Sequence, residues 1–412
     1  MRMAQSKSGR HCLIKINQVS DWNALWRSHA ASLLAALAQR LRNLDLAEEA
    51  LQHAFEKAAR HWPDTGWPND PAGWLYRTAW NFALDQSKHA AHVAAHAAQP
   101  AAADADPAPS VQERLATFFL CAHPALSVDT QAMLMLRFAA GLSMADIARW
   151  FYSDEQTVSK RLQRAKHKIE ATRISFELPE VDIWTERLPP VLSAIEVLYD
   201  RSYADVAGSE AIAAYGRDAE QLALTMAELL PDQASALGLA SLIVFAESRR
   251  SARLDAQRSL VPLDRQDPQT WDGVRIHVAA ALLARGAAAQ ANDPYVVRAA
   301  ISAAHAERRI SGRTPWRKIA ALYELLFATT AHAPARWHQL LALAYAGQAV
   351  EALEKWRALR DTASDAAFHL IAADIHHLNG HAYERRAHLS AALRYPLGSA
   401  ERQWVAAQLA RA

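Results

Sequence analysis

Apolar residues recur at i, i+3, i+4 and i+7 along almost the whole chain, and strand-like alternation of apolar and polar residues is almost absent. The pattern predicts an essentially all-α protein. Three helical segments come first: Trp22 to Arg40, Leu44 to His61, and Pro71 to Lys88. Asp70 and Pro71 open the third as cap and first helical residue. Residues 1–20 precede them as a polar leader expected to be disordered, and 21–88 make one small helical domain. Residues 89–110 hold 11 alanines and 3 prolines with little to pack, and read as a flexible linker whose first half can extend the preceding helix. Residues 111–175 form a second helical domain. From 176 to 412 the pattern becomes helices separated by short breaks such as Leu230-Pro231-Asp232, Asp293-Pro294 and Thr314-Pro315. Trp316 to Phe327, Ala335 to Ala346, Ala349 to Leu359, Ala366 to Leu378 and Ala382 to Leu393 have the spacing of stacked tetratricopeptide-like hairpins, although the strict motif is not kept.

The sharpest local signal lies between Gly141 and Ile169. Ser143 caps a helix with Met144, Ile147, Ala148 and Phe151 on one side. Asp154 caps a second, whose buried stripe is Val158, Leu162, Ala165 and Ile169. Caps, turn length and apolar spacing together read as a helix-turn-helix. From Thr157 to Arg173 the second helix carries six basic residues (Lys160, Arg161, Arg164, Lys166, Lys168, Arg173) against the single acid Glu170, an excess suited to DNA phosphates. In such docking the first residues of the second helix meet base edges. Glu155, Gln156, Ser159 and Lys160 therefore fall to base reading and Arg161, Arg164 and Lys168 to phosphates, with Thr157 also on the DNA-binding surface. An ordinary hairpin with a solvated basic face is the competing account.

Net charge is only +2, from 45 basic and 43 acidic residues, so the basic character is local to that helix. At 412 residues, two to three domains are expected. Cys12 and Cys121 stand far apart, which argues against a disulfide framework or zinc ribbon and suits a reducing compartment. With no signal-peptide pattern and no long apolar run, the chain is expected to be soluble and cytoplasmic, with no membrane partner. No glycine-rich phosphate loop, HExxH or GxSxG occurs, so no catalytic residues, cofactor or metal are assigned and enzyme activity is not expected. His89, His92 and His96 share one face of a continued helix, but an alanine-rich linker that happens to carry histidines explains them better than a metal site. Cys121 sits among Phe118, Phe119 and Leu120, as an inert buried thiol does.

Asp45-Leu46-Ala47-Glu48-Glu49-Ala50-Leu51-Gln52-His53-Ala54-Phe55, Asn69-Asp70-Pro71-Ala72-Gly73-Trp74-Leu75 and the helix-turn-helix occur in the order of a bacterial sigma factor of the extracytoplasmic-function type, which the chain resembles. Cys121-Ala122-His123-Pro124-Ala125-Leu126, Phe176-Glu177-Leu178-Pro179, Glu196-Val197-Leu198-Tyr199 and Asp293-Pro294-Tyr295 are similar to segments of a subgroup with a long helical-repeat extension. The resemblance implies a region 2 domain over 21–88, a region 4 domain over 111–175 and a regulatory extension over 176–412. It implies that Glu48, Glu49, Gln52 and Phe55 dock on core RNA polymerase. By the same likeness, Arg77, Trp80, Asn81 and Lys88 meet the melted promoter, and residues 155–168 read the upstream promoter element. Stacked repeats present a concave surface that usually holds a peptide or another domain, so the extension is expected to have a protein partner, unless it is a purely structural helical cap.

Departures from the family pattern bear on that reading. The usual arginine-rich stretch is here Trp80-Asn81-Phe82-Ala83-Leu84-Asp85-Gln86-Ser87-Lys88, which keeps the Ala-Leu-Asp core but has lost most of its charge. Trp74, Trp80 and Phe82 offer base-stacking surface in exchange, worth roughly 1–3 kcal/mol per stacked base, unless they are core. His53 replaces an acid, and Asp200-Arg201-Ser202-Tyr203 stands where the subgroup tends to have Asn-Glu-Gly-Tyr. The alternative is a degenerate sigma-like interaction protein that no longer opens promoters. A DNA-binding repressor sensing metal through the histidine face ranks third.

Overall fold

A computed structural model describes residues 22, 25, 26, 29–93, 111–171, 181–204, 210–359 and 365–411. The described residues are overwhelmingly α-helical; the nearest thing to a sheet among them is one isolated bridge between Leu254 and Leu260. The chain divides into two compact units, Met1–Leu198 and Tyr199–Ala412.

In the first unit, helix α1 spans 29–41, α2 Leu44–Thr65 and α3 Pro71–Val93. Between α1 and α2, Arg42 takes a left-handed φ of 51° and Asn43 caps α2, its side chain accepting from the Leu46 N–H at 2.9 Å. Asp70 caps α3 as the sequence predicts, accepting from the Gly73 N–H at 2.8 Å. Leu33, Leu34, Leu37, Leu51 and Leu75 close the three-helix core. At one end Trp62 lies within 5.3 Å of Trp22, Trp67 and Trp74, centroid to centroid. Helix α3 runs to Val93, so the first residues of the expected linker are helical; 94–110 lie outside the described residues.

Helices α4 (Val111–Cys121), α5 (Val128–Leu134), α6 (Met144–Trp150) and α7 (Glu155–Ala171) follow. Helix α5 passes directly into a π turn, Met135–Ala139, which helical periodicity does not foretell. Gly141 has φ 70° and its backbone rests on α1: a Cβ there would stand 2.7 Å from Ala31. Helix α8 (Val181–Ala204) belongs to this unit as far as Leu198; there Trp184 stacks on Phe119 at 4.4 Å and Arg187 donates to the Phe119 carbonyl at 3.1 Å. The division between the units therefore falls within α8 rather than at 175/176.

The second unit continues through α9 (Glu210–Leu229), α10 (Ala234–Ser248), α11 (Gly273–Gln290), α12 (Pro294–Ala306), the short α13 (Arg308–Ser311), α14 (Trp316–Thr330), α15 (Ala333–Leu343), α16 (Ala349–Arg357), α17 (Ala366–Leu378), α18 (Ala382–Ala392) and α19 (Ser399–Arg411). Helix α10 is apolar all round and correspondingly buried, packed by α9, α11 and α12, with Gly238 letting the α12 backbone approach. Asp293 caps α12 through the Tyr295 and Val296 N–H groups. Trp337, Leu340, Leu353, Trp356, Ile371 and Ile375 form the core shared by α15, α16 and α17. Residues 249–272, an irregular connection with three short 3₁₀ turns, were not anticipated by the break pattern. No described helix is long and apolar enough to cross a membrane.

Candidate functional site

Helices α6 and α7 and the turn between them present the first candidate surface. Ser143 accepts from the Asp146 N–H at 3.1 Å and donates to its carboxylate at 2.7 Å, and Tyr152 carries the turn at φ 49°. Asp154 accepts from the Thr157 hydroxyl at 2.7 Å and its N–H at 2.8 Å, hydrogen bonds that hold the Asp154 carboxyl below its ordinary range. Val158, Leu162, Ala165 and Ile169 are buried, as their spacing predicts. Glu155, Gln156, Ser159, Lys160, Arg161 and Arg164 are exposed. Gln156, Lys160 and Arg164 stack at four-residue intervals on one face.

Two residues singled out for this face are otherwise engaged. The Thr157 hydroxyl is committed to the cap, and Lys168 Nζ donates to the Ala125 carbonyl at 2.5 Å. Lys166, counted among the basic residues, is turned toward α2 rather than to the DNA-binding face. Its ammonium bonds Asp45 and Glu48, the latter at 2.9 Å, and its side chain is only 12% exposed. Burial works against that charge, yet the hydrogen bonds and charges of Asp45 and Glu48 outweigh it and raise the Lys166 pKa above its ordinary value.

The second candidate surface is α2. Glu49 and Gln52 are exposed, Gln52 donating to Glu56 at 3.0 Å, while Phe55 is half-buried against Trp26 at 4.8 Å. Glu48 differs from the other three. Arg137, on the π turn, donates to Glu48 Oε1 at 2.7 Å and to the Leu142 carbonyl at 2.8 Å, and Lys166 holds Oε2. Both carboxylate oxygens are thus spent on cations from the second helical domain, so Glu48 does not present the free acid that the sequence suggested. The same seam is bridged by Gln39 Nε2, which donates to the buried Thr117 hydroxyl at 2.6 Å. Sequence reasoning missed Arg137. Its one signal was a lone cation inside Met133-Leu134-Met135-Leu136-Arg137-Phe138, where a charge must find a partner to be buried.

The third surface, α3, departs most from expectation. Trp80 is 6% exposed and stacks on Tyr76, so it is a core residue and offers no base-stacking face. Phe82 is half-buried against His53 at 4.3 Å, and Trp74 belongs to the tryptophan cluster. Arg77 is exposed and near Asp70 at 3.9 Å, and Asn81 is exposed. Lys88 lies on α3, with a side chain outside those described; so do the side chains of His89 and His92, and all of His96. Cys121 is buried, and burial pushes its thiol up to about 12, which leaves it unreactive.

In the extension, a cavity of about 300 Å³ is walled by Trp271, Trp316, Tyr345, Asp264, His305 and Asp374 among others. Burial, then the neighbouring Asp264, pushes the Asp374 carboxyl up to about 6, and burial pushes His305 down to about 4. Elsewhere in the extension, the segment at 200–203 that departs from the family pattern is tied in. Tyr203 receives Arg253 over its ring at 3.7 Å, and Tyr199 donates to Glu247 at 2.8 Å.

Comparison with known proteins adds four findings. Residues 25–92 match the family model for sigma-70 region 2, and residues 187–287 match a family of unknown function, DUF6596. An uncharacterized protein of Rhizobium meliloti (strain 1021) is 33% identical over 305 residues, which cover 71% of this chain and 72% of that protein. No solved structure matches.

The double grip on Glu48 makes a measurable demand. Arg137→Ala or Lys166→Ala leaves a half-buried carboxylate short of a charged partner, and each is expected to cost about 2 kcal/mol in urea unfolding of the full chain. Lys160→Ala, on the exposed face of the same helix, is expected to cost less than about 0.5 kcal/mol.

Proposed function

The chain belongs to the sigma factor family, and from that premise we propose that it directs RNA polymerase to particular promoters for transcription initiation, with its helical extension as a regulatory module. The single observation that carries this reading is the region 2 match over residues 25–92, which spans the α2 and α3 surfaces. In this role the exposed α2 residues Glu49 and Gln52, with Phe55 beside them, dock on core polymerase. Glu48 joins them only after Arg137 and Lys166 release it. The exposed face of α7, led by Gln156, Lys160 and Arg164, reads the upstream promoter element. Arg77 and Asn81 remain the accessible candidates for the melted strand. The extension's successive helix pairs support a tetratricopeptide-like module that holds a protein partner, and the whole acts as a binding protein rather than an enzyme.

A second reading, a sigma-like interaction protein that no longer opens promoters, is favoured by two specific observations. Trp80 is core, and the stretch after it has lost most of its positive charge. Single-strand capture then rests on Arg77 and Asn81 with little phosphate attraction behind them.

Run-off transcription with core polymerase and a randomised promoter library separates the two. The working factor selects a promoter and initiates from it; a chain that binds polymerase yet selects and opens nothing follows the second reading. The Glu49→Lys, Gln52→Ala double variant is expected to keep the helical circular dichroism of the parent and to lose co-purification with core polymerase; full retention contradicts the docking role. On selected promoters, Gln156→Ala or Lys160→Ala is expected to relax preference at one or two positions by roughly 1–3 kcal/mol. Arg164→Ala weakens all sequences alike and flattens the salt dependence. Unchanged base preference in both of the first two variants contradicts the reading of α7.

A further inference from the structure

Helices α17 and α18 form a hairpin whose turn, Asn379 to His381, is fixed from several sides. Gly380 takes φ 76°, the His381 N–H donates to the His376 carbonyl at 2.9 Å, and the Asn379 amide donates to the Ile375 carbonyl at 2.8 Å and the Ala349 carbonyl at 2.9 Å. This locked turn brings His376, in the last turn of α17, beside His381 at the cap of α18 and Glu384 three residues on. One donor atom from each of the three lies within 4.8 Å of the other two.

The separation of the two imidazoles is informative. Their Nδ1 atoms stand 3.4 Å apart. A good nitrogen hydrogen bond is shorter, about 2.9–3.0 Å. Two nitrogens bound tetrahedrally to one metal at about 2.0–2.1 Å are themselves about 3.4 Å apart. We propose that His376, His381 and Glu384 form a binding site for a divalent transition metal of the zinc, cobalt or nickel class, which staples the α17–α18 hairpin of the extension.

The chemistry of the surroundings agrees. Two imidazoles and one carboxylate are the donors of a borderline cation, whereas magnesium and calcium want oxygen alone. A second pair stands behind the first. The His388 ring stacks on His376 at 5.4 Å, and its Nδ1 is 3.0 Å from that of His369. Three protein ligands leave a fourth position for water or a partner's side chain. The His376-x₄-His381 spacing falls within the H-x₃₋₅-H range common in zinc sites, and the folded turn brings Glu384 to the pair.

The test uses the untagged full-length chain, titrated with cobalt(II) for its visible absorption bands and with zinc in competition with a chromophoric chelator. One equivalent is expected to bind, with the intense cobalt bands of tetrahedral coordination, and zinc is expected to raise the melting temperature. His381→Ala and Glu384→Gln sit at partly exposed positions, so each is expected to keep the metal-free helicity and melting temperature of the parent while binding at least about tenfold more weakly. The combined His89→Ala, His92→Ala, His96→Ala variant is expected to bind as the parent does. The site is overturned if the chelator strips all metal from the parent, if both hairpin substitutions leave affinity and cobalt spectrum unchanged, or if the combined linker variant abolishes binding. None of these readouts depends on transcription, so the site and the sigma factor role stand or fall separately.

Discussion

The carboxylate of Glu48 is the pivot of the first unit. It lies on α2, among the residues read as the polymerase-docking face, yet Arg137 and Lys166 reach it from the π turn and from α7. Two cations on one half-buried acid are worth more than the usual surface ion pair because desolvation raises the cost of losing either partner. The seam built around that acid is continued by Gln39 on Thr117 and by the close approach of Gly141 to Ala31. Together these contacts fix the second helical domain on the first.

The arrangement divides α7 between two tasks. Its buried stripe and Lys166 face the protein, while Gln156, Lys160 and Arg164 stay exposed. On the proposed reading, the DNA-reading face is therefore open while the docking face is partly closed. Polymerase must then compete with Arg137 and Lys166 for Glu48, which makes the grip a threshold that core polymerase has to overcome.

Much of this was legible in the sequence because it is local. The caps Ser143, Asp154 and Asp70, the stripe from Val158 to Ile169 and the bounds of α17 all follow from side chains acting within a turn or two of themselves. What escaped depends on contacts distant in sequence. Lys166 reads as one more cation on a basic helix until α2 is placed beside it, 118 residues away. Arg137 hides in an apolar run because a π turn re-aims it, and Trp80 is an exposed aromatic or a core one depending on which face α3 turns to α1 and α2. The His376, His381 and Glu384 group depends on a tight turn whose geometry spacing does not reveal.

The central claim is that Glu48 serves two masters, the intramolecular cations and the polymerase, and one binding measurement tests it most directly. The affinity of fluorescently labelled full-length chain for core RNA polymerase is compared between the parent and the Arg137→Ala, Lys166→Ala double variant at one ionic strength, with folding checked by circular dichroism. The account predicts that freeing Glu48 tightens binding by about tenfold, the equivalent of roughly 1.4 kcal/mol. Binding by the folded double variant that is unchanged or weaker would contradict it.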